Sequence, residues 1–141
     1  MAATPSSRLF ALMHAAGVAH ERVEVRLADL NLSLAKLGAL RALHEAGAAL
    51  PLGQLADRLA CVKSNITQLV DRMEADGLVR READPGDRRS KLAVLTPAGQ
   101  ALYQQGERRR IEAEQELFAG LSADEAEQFG ALMEKLGGAQ K

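Results

Sequence analysis

Apolar residues recur at helical spacing along most of the chain. The first run holds Leu9, Met13, Ala16, Val23, Leu27 and Leu30, stepping by three and four, with Ser6 or Ser7 available as a cap and Asn31 suited to the left-handed residue that ends it. His20 fills the one gap in this stripe. A seam this long exceeds what a small domain buries by itself, so it predicts packing against another helix or another subunit. Ser33 caps a second helix carrying Leu37, Leu40, Ala42 and Leu43, which Gly47 stops. Pro51, favoured in a first turn, opens a third helix through Leu59, and a fourth ends at Gly77.

The period then becomes extended. Leu78 to Glu82 and Lys91 to Leu95 flank Asp84-Pro85-Gly86-Asp87, a strong turn sequence, so a β-hairpin with a charged tip is expected. Thr96-Pro97 supplies a cap and a first-turn proline for a helix to about Phe118. Ser122-Ala123-Asp124-Glu125 has the form of a capping box, opening a last helix with Phe129, Leu132, Met133 and Leu136 on one face before Gly137 and Gly138. There is no internal repeat and no low-complexity segment.

Within Leu52 to Met73, apolar Leu55, Leu59, Cys61, Ile66 and Leu69 and small Ala56 and Ala60 have the spacing of a helix-turn-helix. Small residues let the two helices approach, and branched Ile66 fills the angle between them. That geometry turns Ile66, Leu69, Val70 and Met73 inward and exposes Lys63, Ser64, Asn65, Thr67 and Gln68. Asn and Gln can bond an adenine edge bidentately, Ser and Thr can donate or accept, and Lys reaches a phosphate or guanine. A merely solvated helix end has the same composition. The hairpin alongside, with Arg80, Arg81, Arg88, Arg89 and Lys91, favours DNA.

Length and composition add bounds. A chain of 141 residues holds one ordinary domain. An apolar fraction of 47% with only 3% aromatic residues, carried by Ala and Leu, favours helices over a β-sandwich. The formal net charge of -1 means that nucleic-acid binding must come from local placement of cations. From Cys61 to Leu92 there are seven positive and six negative side chains, so the weight falls on the hairpin tip, where arginine can enter a narrow minor groove. The single cysteine excludes an internal disulfide framework and multi-Cys zinc patterns and fits a reducing compartment. With no secretory leader and no long apolar stretch, a soluble cytoplasmic protein is expected. No glycine-rich phosphate loop, metal-spaced set or based nucleophile points to an enzyme, and no cofactor or metal is implied.

Taken in order, Leu55-Ala56-Asp57-Arg58-Leu59, Ile66 to Glu74 (ITQLVDRME), Asp76-Gly77-Leu78-Val79-Arg80-Arg81, Asp84-Pro85-Gly86-Asp87-Arg88-Arg89 and Leu95-Thr96-Pro97-Ala98-Gly99 resemble the MarR family of bacterial regulators across nearly the whole chain. The resemblance implies a mainly α fold with a small β-hairpin wing: a winged helix-turn-helix lobe over 33–96 and a helical dimerisation bundle from 6–30 and 97–137. It implies a homodimeric repressor on a pseudo-palindromic operator in double-stranded DNA. By position, Ser64, Asn65, Thr67 and Gln68 would face bases, with Lys63 beside them. Arg89 would enter the minor groove from the wing, braced by Asp87 and flanked by Arg88 and Lys91. Val62 stands where the family usually has Ser or Thr.

Proteins of this kind often release DNA when a small aromatic or phenolic anion binds between the dimer helices and the DNA lobe, or when a cysteine is oxidised. His14, His20, His44 and Tyr103 are the polar candidates for such a crevice, although a lone His on an apolar face is commonly a core or interface residue. Cys61 reads as a small buried filler, with a redox switch as the alternative. Arg108-Arg109-Arg110 reads as a solvated, ion-paired helix face. A winged-helix module for protein contact is the rival class, and it predicts an acidic or apolar reading face.

Overall fold

The structure, a computed structural model, describes residues 5–59 and 63–138. Helices α1 (Pro5–Leu27), α2 (Leu34–Glu45), α3 (Leu52–Arg58), α4 (Lys63–Ala75), α5 (Pro97–Leu117) and α6 (Ala123–Gly138) carry a small sheet of β1 (Ala49–Pro51), β2 (Val79–Asp84) and β3 (Asp87–Leu95). The expected mainly α architecture with a hairpin is present, and its strands are longer than the sequence indicated. The turn shrinks to Pro85-Gly86, with Asp84 paired to Asp87.

Local chemistry explains most boundaries. The first helix tightens into a single 3-10 turn at Ala28–Leu30 before Asn31, at φ 54°, ends it. The Ser33 side chain accepts from the Lys36 N–H at 3.1 Å. Gly77, at φ 77°, closes α4 with paired bonds: its own N–H to the Glu74 carbonyl, and the Leu78 N–H to the Met73 carbonyl at 2.9 Å. Thr96 accepts from the Gly99 N–H at 3.0 Å and donates its hydroxyl to the Gly77 carbonyl at 2.7 Å, tying the start of α5 to the end of α4. Ser122 and Glu125 form the expected reciprocal capping box, at 3.1 and 2.9 Å.

Three expectations need correction. Helix α1 begins at Pro5, so Ser6 and Ser7 lie within its first turn rather than capping it. Residues 49–51 form a third strand on β3, with Leu50 opposite Ala93, giving the antiparallel order β1-β3-β2. Pro51 ends that strand and occupies the cap position of α3 rather than its first turn, with φ -58° and ψ 144°. Three residues are too few to show a period, and the missing proline N–H is tolerated at the strand end.

The core gathers Leu37, Leu40 and Leu43 of α2, Leu55 of α3, Ile66, Val70 and Met73 of α4, and Ala93 of β3, together with Leu27 at the end of α1. Beyond Leu27 the long apolar stripe divides. Val23 and Leu30 pack on the core, whereas Leu9 and Met13 are exposed at 57% and 61%. On α6, Phe129, Leu132 and Leu136 are exposed as well, while Phe118 and Phe129 touch with ring centroids 5.2 Å apart. A lone chain therefore presents apolar surface on α1 and α6.

Candidate nucleic-acid interface

Helices α3 and α4 form the expected helix-turn-helix pair. Leu55, Ala56, Ile66, Val70 and Met73 are all buried where the two helices meet the core. Leu69, expected inward, is half-buried. The turn at 60–62, including Cys61 and the Val62 position, lies outside the described residues, so the redox expectation for Cys61 has no geometry here. Lys63 and Ser64 start α4, and Asn65, Thr67 and Gln68 follow on its exposed first turns.

The wing rises from β2 and β3. Asp84 accepts the Gly86 N–H at 2.9 Å, and Asp87 accepts the Arg89 N–H at 2.9 Å. Asp87 thus braces the backbone of Arg89 and leaves its guanidinium outward. Arg88, Arg89 and Lys91 are exposed, and among the described residues none of them makes an ion pair. Such cations are available to an external anion.

The other two hairpin arginines are already engaged. Arg80 pairs with Glu82 at 2.5 Å. Arg81 reaches back to α4, where its guanidinium meets Asp71 at 2.6 Å and Glu74 at 2.8 Å. The basic patch is thereby confined to the tip. The triple arginine of α5 divides similarly: Arg109 pairs with Asp29 at 2.6 Å, and Arg110 pairs with Glu107 and Glu114.

A cleft of about 550 Å³ lies between α1, α2 and α4, lined by His20, Leu34, Gly38, Leu69, Asn65, Gln68 and Arg72, among others. Of the four crevice candidates His20 alone lines it. His14 sits on the exposed face of α1. His44 stacks on Tyr103 with centroids 4.6 Å apart, and its Nδ1 lies 3.0 Å from Gln100 Oε1, in a separate cluster between α2 and α5. Burial, then the nearby Glu107 carboxylate, pushes the Tyr103 phenol above its ordinary pKa. Sequence reasoning missed Arg72, which lies one helical step beyond Asn65 and Gln68 on the cleft wall. The spacing 65, 68, 72 was the available signal.

A sequence model described as the MarR family matches residues 30–90. MarR from E. coli, solved as a cysteine-to-serine variant complexed with operator DNA, superposes with a TM-score of 0.84 at 26% identity, covering 94% of this chain and 93% of that one. A MarR-family transcriptional regulator from Silicibacter pomeroyi is 32% identical and superposes with a TM-score of 0.73, covering 92% of this chain and 86% of that one. The chain belongs to the MarR family. Members of the MarR family are DNA-binding transcriptional regulators and not enzymes. Bordetella bronchiseptica BpsR, whose DNA binding is regulated by 6-hydroxynicotinic acid, superposes with a TM-score of 0.85 at 26% identity, covering 93% of this MarR-family chain and 98% of that chain. Among curated relatives, the uncharacterized HTH-type transcriptional regulator YkoM of Bacillus subtilis is 38% identical over 61% of this chain; the match spans 56% of the length of YkoM.

Among the described residues no helix is long and apolar enough to cross a membrane, and no cluster of His, Cys, Asp and Glu could hold a metal ion.

Proposed function

We propose that this MarR-family regulator is a cytoplasmic homodimeric repressor that reads a pseudo-palindromic operator with α4 and the wing, and is released by a small aromatic or phenolic anion. Ser64, Asn65, Thr67 and Gln68 face bases in the major groove, with Lys63 at its edge. Arg89 enters the minor groove, held by Asp87, while Arg88 and Lys91 meet phosphates. Residues 33–96 act as the DNA lobe, and 6–30 with 97–137 as the dimerisation region. The observation that carries the reading is the exposed polar turn of α4 beside a tip whose cations lack ion-pair partners among the described residues. A module for protein contact would instead present an acidic or apolar face there.

Two-fold pairing demands inverted half-sites about one helical turn, ~10 base pairs, apart. The apolar surface of α1 and α6 supports the pairing. The cleft beside His20 supports the release, because Asn65 and Gln68 form part of its wall and Arg72 supplies a cation for an anionic guest. A ligand there touches the side chains assigned to the bases.

Fluorescence anisotropy on duplex from upstream of its own gene, with a panel of aromatic acids added, tests the DNA and effector readings. Expected are saturable binding that weakens steeply with salt, and loss of binding with at least one acid. A chain that ignores every duplex offered at low ionic strength would overturn the DNA reading. Binding that no acid disturbs would remove the effector from it.

A further inference from the structure

Of the five cations in and around the hairpin, Arg81 is the one bound most fully into the protein. Its Nη2 lies 2.6 Å from Asp71 Oδ1 and donates to the Thr67 carbonyl at 3.3 Å. Its Nη1 donates to Glu74 Oε1 at 2.8 Å, and its backbone N–H to Glu74 Oε2 at 3.1 Å. One guanidinium fork therefore spans two turns of α4, from the carbonyl of Thr67 to the carboxylate of Glu74. Its side chain is only 22% exposed, so it is poorly placed to meet phosphate. It joins the reading helix to the strand that leads into the wing.

We propose that Arg81 is a positioning residue that sets the angle between α4 and the wing, so that base readers and Arg89 engage adjacent grooves together. The inference rests on the proposed role of Arg89. Arg81 pairs in register with Ala93 of β3, and Arg89 is four residues further toward the tip, about 13 Å along an extended strand. At that lever length a rotation of about 10° at the base displaces the tip by about 2 Å, enough to break hydrogen-bond contact. The nearest backbone joint is Gly77, at φ 77°, between the end of α4 and β2. Buried Leu78, Val79 and Ala93 and the Thr96–Gly77 bond seat the base of the hairpin, and the Arg81 fork is the side-chain link that ties β2 to the last two turns of α4. The planar fork of arginine fixes the directions of its donors, which suits the task, whereas the rotating ammonium of lysine sets no such direction.

The test is a double-mutant cycle on a duplex selected by the wild-type chain from a randomised pool. Arg89→Ala is expected to weaken binding about tenfold, and Arg81→Met by about as much. In the Arg89→Ala background, Arg81→Met should cost less than about threefold further, because a misdirected wing with no arginine has little left to lose. Arg81→Met should also abolish the A·T preference at the wing positions while sparing base preference under α4, which a general loss of folding would not do. Glu74→Gln, which weakens the same fork from the helix side, should repeat the pattern and serves if Arg81→Met unfolds. Losses that simply add in both cycles overturn the proposal and leave the wing reading intact. An Arg89→Ala variant that binds like wild type overturns the wing reading and this proposal with it.

Discussion

Arg109 of α5 grips Asp29 in the turn after α1 with both guanidinium nitrogens, at 2.6 and 3.0 Å, while also donating to the Arg26 carbonyl at 2.9 Å. The end of α1 is thus tied to α5 by a side chain that satisfies a terminal helix carbonyl and a carboxylate at once. Arg26 adds a second tie from the same turn, to Glu112 at 2.8 Å and to Glu116. These links fasten the long helix to the helix that follows the wing.

The Asp29 contact predicts a pH dependence. Hydrogen bonding to Arg109 holds the Asp29 carboxyl below its ordinary value of 3.8. Because the folded-state pKa is depressed, the contribution is fully present above the unfolded value and is lost as pH falls through the folded one. Asp29→Asn should therefore lower the melting temperature at pH 7, and the gap between the two variants should start to narrow only as pH falls below about 4, closing once pH is below the depressed folded-state value. Thermal melts followed by circular dichroism across that range check it. A gap that persists unchanged at pH 3 would show that the side chain acts by something other than its charge.

Two glycines of α5 predict unequal penalties. A Cβ at Gly99 would collide with the Leu78 carbonyl oxygen and lie 2.8 Å from Leu95 Cδ1, whereas one at Gly106 would meet only the side-chain ends of Leu32 and Leu37, at 2.7 and 2.8 Å. Backbone cannot give way as a leucine methyl can. Gly99→Ala should cost about 1–3 kcal/mol, and Gly106→Ala clearly less, because Ala returns up to about 1 kcal/mol of helix propensity. Urea unfolding measures both. Equal losses would mean that the first turn of α5 shifts freely off Leu78.

Ties of this kind were not legible in the sequence, and the reason is distance along the chain. Helix limits, caps and the hairpin could be read because each depends on residues within a few positions: Ser33 with Lys36, Thr96 with Gly99, Ser122 with Glu125. The burial of Ile66, Val70 and Met73 followed from helical spacing, as did the exposure of Asn65 and Gln68. Strand β1 escaped, since three residues carry no period and their partners lie on distant β3. So did the assignments of Arg81 and Arg109, whose partners in α4 and after α1 depend on tertiary placement. His44 and Tyr103 looked like crevice residues from helical position, yet their rings stack on each other away from the cleft, with His44 beside Gln100.

The exposed apolar residues of α1 and α6 make the proposed pairing testable. Phe10 is 68% exposed and Leu132 56% exposed in the lone chain, and covering them requires a second copy on the dimer reading. Phe10→Asp and Leu132→Asp should shift sedimentation velocity profiles toward the monomer. Operator affinity should then fall by about 100-fold or more, because engagement of the second half-site ceases to be intramolecular. Variants that remain dimeric would place the subunit interface elsewhere.

The two kinds of proposed DNA contact should separate by salt and by sequence. Arg88 and Lys91 are exposed on the tip, where a cation meets phosphate irrespective of base, so Arg88→Ala and Lys91→Ala should weaken all duplexes alike. Each should also flatten the slope of log affinity against log salt by about 1 per phosphate left unneutralised, and thus by about 2 in a symmetric dimer. Asn65 and Gln68 carry no charge, so their removal should leave that slope unchanged while reducing discrimination at particular base pairs by about 1–3 kcal/mol. Anisotropy titrations at several salt concentrations, on the selected duplex and on single-base-pair variants of it, measure both quantities together. If Asn65→Ala lowered affinity uniformly and spared base preference, Asn65 would be a backbone contact, and reading would fall to Thr67, Gln68 and the first turn of α4.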